Sequence, residues 1–396
     1  MQHLVEHYNR LLAEEVSPFT RYLYESINWD NRLILIKGAR GVGKTTMLLQ
    51  HIRRTFPDTS KALYASADHI WFANHTLLDL AEYHYTHGGT HLFIDEIHKY
   101  KDWQREIKNI YDFYPQLKVV ITGSSILKLE HAIGDLSRRC RVYTMQGLSF
   151  REYLKLENVA DFSVIGFEDI LKNHITIAAQ LTSKVRLLGY FADYLQKGFY
   201  PFYRDEGDGA IDRLMRVINT VLNEDIPAVA QIEFDTLYKM RQLLGILAEQ
   251  SPYTLNVSAL ARTLDTSNAQ VMKLMDLLNK ATIIRRLYQK DTGMKMMVKP
   301  EKILFDNTNI MHALSTNTDL GTLRETFFSC MLSKDHSISM PQAGDLIVDK
   351  KYLFEVGGRS KGYKQIANIP DSYVVNDGVD IGFENKIPLW LFGMLY

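Results

Sequence analysis

The run Arg32-Leu-Ile-Leu-Ile-Lys-Gly-Ala-Arg-Gly-Val-Gly-Lys-Thr-Thr46 decides how the chain folds. Its first part, Arg32 to Lys37, is short, apolar and partly β-branched and stops at Gly38, the pattern of a buried strand feeding a turn. From Thr45 to Arg53 the apolar positions recur with helical spacing, and the segment ends near Pro57. Strand, glycine loop and helix follow one another, and Gly38, Gly43, Lys44 and Thr45 meet the spacing G-x-x-x-x-G-K-S/T. That spacing has a physical basis. Glycines let backbone N–H groups curl around a phosphate without Cβ clashes, and the helix starting at Lys44 presents its positive end to the anion. Lys44 adds a full charge toward the β- and γ-phosphates, and the Thr45 hydroxyl is placed to coordinate Mg²⁺. Gly38, Gly41, Val42, Gly43, Lys44, Thr45 and Thr46 are therefore expected to hold the phosphates of a nucleoside triphosphate, with ATP and Mg²⁺ as the cofactors.

Outward from this loop, three more apolar runs, Ala62 to Ala65, His91 to Ile94 and Lys118 to Thr122, alternate with helix-like segments such as Trp103 to Tyr114. Alternation of this kind predicts an α/β fold, a mostly parallel sheet with helices on both faces. The second run, His91-Leu-Phe-Ile-Asp-Glu96, ends in adjacent carboxylates that would be costly to bury unpaired. Beside a phosphate loop, Asp95 is expected to hold Mg²⁺ through water and Glu96 to orient the attacking water, which makes hydrolysis the expectation. An acid pair that merely caps the next helix is the alternative. The third run, Lys118-Val-Val-Ile-Thr-Gly-Ser-Ser125, ends in hydroxyls at a strand end that should face the nucleotide. Ser124 or Thr122 is read as a γ-phosphate sensor, with turn formation at Gly123 as the rival.

The whole chain has 396 residues, too many for one compact core, and about two to four domains are expected. Lys plus Arg and Asp plus Glu both total 46, so net charge argues neither for nor against nucleic acid. MQHLVEHYNR at the start lacks the apolar core of a signal peptide, and the longest apolar stretch, Ile387 to Tyr396, is far short of the ~20 residues that span a bilayer. The reading is a cytoplasmic protein with no membrane partner. Cys140 and Cys330 form neither a CxxC pair nor a disulfide framework and read as buried small hydrophobes. His84, His87 and His91 run through a Gly-Gly turn without a clear fourth ligand and read as ordinary structure. Trp71, Phe72, Tyr83 and Tyr85 read as core aromatics.

Residues 1–30 carry helical patterning, residues 31–149 the strand–helix alternation, and residues 150–230 are almost purely helical apart from Lys197-Gly-Phe-Tyr-Pro201. Between 231 and 300, helices are predicted at Met240 to Glu249, Ser258 to Leu264 and Asn268 to Ala281, then strands at Ile283 to Tyr288 and Met294 to Val298, which together make a winged helix-turn-helix. Ser251 to Phe305 holds nine Lys or Arg against four Asp or Glu, an excess suited to phosphate-backbone contact. Asn268 and Gln270 open the candidate recognition helix, and Arg285, Arg286, Lys290 and Lys295 decorate the wing. Double-stranded DNA is one expected partner of this segment and a docked protein the other. Residues 301–396 return to mixed α/β character.

Taken together, Gly38 to Thr46, Leu92-Phe-Ile-Asp-Glu-Ile-His98, Asp102-Trp-Gln-Arg105, Ile121-Thr-Gly-Ser-Ser125 and Leu148-Ser-Phe-Arg-Glu152 resemble the prokaryotic AAA-type P-loop ATPases that carry a C-terminal domain of uncharacterised function. The resemblance implies a P-loop NTPase parallel sheet over 31–149, a helical lid or connector over 150–230, and Mg²⁺-dependent ATP hydrolysis that drives a conformational switch, in a monomer or a homo-oligomer. It implies an arginine finger at Arg139, flanked by Arg138 and Arg141, and places Arg40 beside the phosphates. It also implies that 301–396 is similar to the PD-(D/E)XK nuclease fold, with Glu325, Asp345 and Glu355 as acids. The lysine expected two positions after Glu355 is replaced by Gly357, leaving Lys361 or Lys364 as substitutes. An ATP-gated metal-dependent nuclease and a non-catalytic DNA-binding or signalling adaptor are the alternative readings.

Overall fold

The computed structural model describes residues 2–14, 17–123, 136, 138–230, 232–249, 255–289, 302–315, 317–363, 366–367 and 369–396. It divides into two compact units, Met1–Gly147 and Leu148–Tyr396.

In the first unit the strands are β1 Leu33–Lys37, β2 Ala62–Ser66, β3 His91–Asp95, β4 Lys118–Gly123 and β5 Arg141–Thr144. They lie in the order β2-β3-β4-β1-β5, and every pairing is parallel. Parallel strands need long crossovers, and the helices Lys44–Thr55, Leu77–Thr86 and Trp103–Phe113 supply them. With both faces covered, Leu33 to Ile36 are at most 1% exposed, which is why β1 reads as an unbroken apolar run with no alternation. Thr76 and Asp79 form a reciprocal capping box that starts the second of these helices. Because all strands run the same way, the ends of β1, β3 and β4 open on one edge of the sheet.

The aromatic residues expected in this core are a correction. Ile70–Ala73 is a short 3-10 turn at the end of β2, where Trp71 and Phe72 are only partly buried, and Tyr83 is exposed on the helix that follows. Each finds local cover instead: Trp71 stacks on His75 at 4.2 Å and Tyr83 on His87 at 4.1 Å. His84 is buried and shares a 2.9 Å hydrogen bond with the His91 carbonyl, so it serves the turn. Cys140 and Cys330 are both buried and free.

The second unit begins with helices Phe150–Leu156, Phe167–Thr182, Leu187–Lys197, Tyr203–Glu206 and Ala210–Thr220. Ser149 and Glu152 cap the first of them reciprocally. Helices Phe234–Glu249, Val257–Thr263 and Asn268–Lys280 come next, followed by β6 Ile284–Leu287, which pairs antiparallel with β7 Lys302–Phe305. The strand expected at Met294 to Val298 lies outside the described residues. Two more helices, Thr308–Leu314 and Leu320–Leu332, lead into β8 Ile338–Ser339, β9 Leu346–Val348, β10 Tyr352–Gly357, β11 Ser372–Asn376 and β12 Lys386–Pro388. This sheet has the order β12-β11-β10-β9-β8, parallel from β10 to β12 and antiparallel from β8 to β10. Phe327, Phe328, Phe354, Trp390 and Phe392 are almost wholly buried and form its core. Among the described residues no helix is long and apolar enough to cross a membrane.

Candidate active site

β1 delivers the chain at Lys37 into the glycine loop. Gly41 and Gly43 have φ of +86° and +96°, backbone that side chains disfavour, and Gly43 leads directly into the Lys44–Thr55 helix. Gly38 is required for another reason: a Cβ there would fall on the backbone carbonyl of Met145. Lys44 is buried at 4% exposure and donates from Nζ to Gly38 O (3.0 Å) and Ala39 O (2.9 Å), tying the end of the loop to its start. Thr45 and Thr46 lie on the exposed first turn of the helix, where an anion can reach the amide groups.

Because β4 lies between β1 and β3, Asp95 is two strand spacings from the loop strand, about 9–10 Å. Side chains from three elements close that gap. Thr45 Oγ1 donates to Asp95 Oδ2 at 2.5 Å, Tyr64 on β2 donates to the same oxygen at 3.0 Å, and Thr122 on β4 donates to Asp95 Oδ1. The Glu96 N–H adds a fourth bond to Oδ1 at 3.1 Å. Four donors offset the burial of a carboxylate that is 2% exposed. Burial, reinforced by the charge of Asp95, pushes the Tyr64 phenol well above its ordinary pKa, so it remains a donor throughout the physiological range.

Glu96 follows at φ +51°, a left-handed conformation that costs of order 1–3 kcal/mol in a non-glycine residue and persists where the surroundings enforce it. The turn carries its carboxylate off the strand to lie 3.4 Å from His98 Nε2 and 3.9 Å from the Arg40 guanidinium. Arg40, Lys44, Thr45, Asp95 and Glu96 are thus brought together. Arg139 is not. Arg141 is in register with Ile34 at the start of β1, so Arg139 sits at the opposite edge of the sheet, roughly 15 Å from the loop end of the strand, and pairs with Asp112 at 3.3 Å. Ser124 lies outside the described residues, whereas Thr122 binds Asp95.

Three residues of this site escaped the sequence reading. Tyr64 sat inside an apolar run, and His98 followed a turn whose direction no spacing rule gives. The third, Arg21, is 4% exposed and donates to Val42 O, to Gln146 O (2.7 Å) and to Gly147 O (2.9 Å). It lies 17 residues before Gly38, and only the fold brings it there.

A second polar cluster lies in the other unit. Glu355 on β10 is 2% exposed and pairs through Oε1 with Lys361 Nζ at 2.9 Å, while Lys361 is 4.0 Å from Asp345 Oδ2. A Cβ on Gly357 would meet the Lys361 side-chain carbons at 2.7–2.8 Å, so Lys361 fills the space a residue-357 side chain would take. Burial alone would depress the Lys361 pKa, but the bond to Glu355 and the charges of Asp345, Glu355 and Glu325 hold it above its usual value. Asp345 accepts the Val356 N–H at 2.8 Å, Glu325 pairs with Lys302, and Glu355 Oε2 is buried without a hydrogen-bond partner among the described residues. Lys364 lies outside the described residues.

On the middle helices the expected DNA-facing groups are partly engaged at home. Arg285 pairs with Asp306 at 2.9 Å and Arg286 with Asp276 at 2.6 Å. Gln270 reaches Thr236 at 3.4 Å and Asn268 reaches Ser258 at 3.3 Å. Arg262 and Lys273 are exposed, and Lys290 and Lys295 lie outside the described residues.

A glycine loop on β1, acids at the end of β3 and a five-stranded parallel sheet have the arrangement of a P-loop NTPase fold. The profile of an AAA domain matches residues 30–154, and that of a domain of unknown function matches residues 188–321. An uncharacterised protein of Methanocaldococcus jannaschii is 28% identical over 95% of this chain and 85% of its own length. Among solved structures, a Walker-type ATPase of Pyrococcus abyssi aligns with TM-score 0.45 and 12% identity, covering 77% of this chain and 99% of its own. AMPPCP-bound DnaA of Aquifex aeolicus aligns with TM-score 0.24 and 16% identity, covering 65% of this chain and 84% of its own.

Proposed function

We propose that the chain binds Mg²⁺·ATP on Gly38 to Thr46 and hydrolyses it. The observation that carries the reading is the Thr45–Asp95 contact of 2.5 Å, which joins the loop helix to the acid strand across an intervening strand. A hydroxyl and a carboxylate are hard oxygen donors of the kind Mg²⁺ takes, and Thr45 with Asp95 would hold it. When bound, the ion neutralises phosphate charge that builds in the transition state. Lys44 swings its ammonium from the loop carbonyls to the phosphates, and the loop N–H groups, Thr46 and Arg40 hold the remaining oxygens. Glu96 accepts a hydrogen bond from the attacking water and takes its proton as the new P–O bond forms and the bond to the ADP leaving oxygen breaks. Ser124 is proposed to read the γ-phosphate. From its edge of the sheet Arg139 would act as a finger on the nucleotide of a neighbouring copy, which makes a homo-oligomer part of this reading.

Turnover is proposed to switch residues 150–396, organised as a helical connector (150–230), a winged helix (231–300) and a nuclease-like domain (301–396). The three helices and the β6–β7 hairpin support the winged-helix assignment, and exposed Arg262 and Lys273 are its phosphate contacts to duplex DNA. Phosphate release at saturating ATP, with and without duplex DNA, tests the scheme. Release with Mg²⁺ and a DNA-dependent rate are expected. A DNA-independent rate removes DNA from the scheme and leaves a protein partner, and no release at all leaves an adaptor for which ATP is a structural ligand.

A second reading, an ATP-gated nuclease, is favoured by Lys361 standing in the space of residue 357 beside Glu355 and Asp345, and by Glu355 Oε2, which has no hydrogen-bond partner among the described residues. On this reading DNA with Mg²⁺ and ATP is cut by the parent protein and spared by Asp345→Ala. Equal cutting by both excludes the site, and no cutting by either leaves the fold a role in binding or assembly.

A further inference from the structure

In a trans peptide the N–H and C=O point in opposite directions. Each loop N–H that faces a phosphate therefore belongs to a peptide whose carbonyl must be held on the far side. For the peptide joining Val42 to Gly43 the need is acute. This peptide turns about Val42 ψ and Gly43 φ, and Gly43, at φ +96°, has no side chain to restrict its half of the rotation. Val42 is itself fully buried, so water does not serve its carbonyl.

Arg21 does. Its Nη1 donates to Val42 O while its Nη2 donates to Gln146 O at 2.7 Å and Gly147 O at 2.9 Å. The anchoring end of the fork is firm: Met145 N–H donates to Lys37 O at 2.7 Å, fastening the segment after β5 to the strand that feeds the loop. A planar guanidinium spans two backbone segments at once, which a single ammonium does poorly. Burial at 4% exposure makes each bond count, since a carbonyl left without its donor there finds no solvent.

We infer that Arg21 is a positioning residue for nucleotide binding: by fixing the Val42 carbonyl outward it keeps the Gly43 N–H turned toward the bound phosphates. The inference rests on the nucleotide reading above and adds to it a residue that touches neither substrate nor metal. Its loss weakens binding of any nucleotide that carries a β-phosphate and leaves the chemistry of Glu96 in place.

The experiment measures Kd for Mg²⁺·ADP and Mg²⁺·ATP, and kcat at saturating ATP, in the parent, Arg21→Met, Arg21→Lys and Tyr22→Phe. Tyr22→Phe is the control, because it removes a hydroxyl bonded to Thr144 O and Gln146 N, both at 3.2 Å, without touching Val42. Arg21→Met is expected to raise both Kd values at least tenfold with kcat within about threefold of the parent, Arg21→Lys to fall between, and Tyr22→Phe to match the parent. A folded Arg21→Met protein with parental Kd values overturns the assignment, as does an equal loss in Tyr22→Phe. Should Arg21→Met fail to fold, Arg21→Lys decides: parental Kd values there overturn it. A parent that binds neither nucleotide overturns the phosphate-loop reading and this inference with it, whereas a parent that binds normally beside an unaffected variant overturns the inference alone.

Discussion

With Glu96 replaced by glutamine, ATP is expected to bind as in the parent while phosphate release falls about 10²–10⁴-fold, the usual contribution of a positioned acid–base group. The amide keeps the shape and the hydrogen-bonding reach of the carboxylate toward His98 and Arg40, and the backbone bond from Glu96 N–H to Asp95 is untouched. What disappears is the ability to take a proton from water. Lys44→Ala should behave in the opposite way. It removes a buried ammonium that bonds to Gly38 O and Ala39 O, so both the charge that meets the phosphates and the tie that closes the loop are lost. Nucleotide binding is then expected to drop below detection at millimolar ATP. Equilibrium binding of a fluorescent ATP analogue beside a phosphate-release assay separates the two variants, and an unchanged ATPase rate in both would sink the hydrolysis reading.

The parts of this site that the sequence exposes are those where one short segment does the whole job. Gly38, Gly43, Lys44 and Thr45 form their loop from consecutive residues, so spacing alone carries the geometry. Asp95 was legible because carboxylates at the end of an apolar strand conflict with burial unless something receives them. What receives them was not legible. Tyr64, Thr122 and Thr45 reach Asp95 from three elements 27 to 50 residues away in the chain, and strand order, which no local pattern encodes, decides their proximity. Arg21 was invisible for the same reason. The acids that pair with Arg285 and Arg286 were not legible either: a count of basic residues cannot tell a solvated charge from one answered by Asp306 or Asp276. Lys361 is the converse case: the sequence offers it only as one of two substitutes for the lysine missing at position 357, and the fold brings its side chain into that space.

The other large effect is expected at Asp95, where two substitutions should part stability from function. Asp95→Ala leaves the buried Thr122 hydroxyl and the Tyr64 hydroxyl without their acceptor, while the Glu96 N–H keeps only its longer bond to Thr122 Oγ1 at 3.3 Å. At about 1–3 kcal/mol for each stranded buried group, partly recovered by relaxation, a loss of roughly 3 kcal/mol is expected. For a unit of this size that lowers the melting temperature by about 6–12 °C. Asp95→Asn is different. Its carbonyl oxygen can keep the bonds from Thr122 and the Glu96 N–H, which has no freedom to turn, while its amide donates to the hydroxyl oxygens of Thr45 and Tyr64, which can rotate to accept. The melting temperature should therefore stay within about 3 °C of the parent's, since a swap that leaves every partner satisfied is nearly neutral. The charge is nonetheless gone, so Mg²⁺-dependent strengthening of ATP binding and turnover should both disappear. Calorimetric melting with nucleotide titrations at zero and millimolar Mg²⁺ checks the pair. If Asp95→Asn melted like the parent and still turned over ATP at the parental rate, the carboxylate would be a structural hub alone, and the metal site would have to be sought elsewhere around the loop.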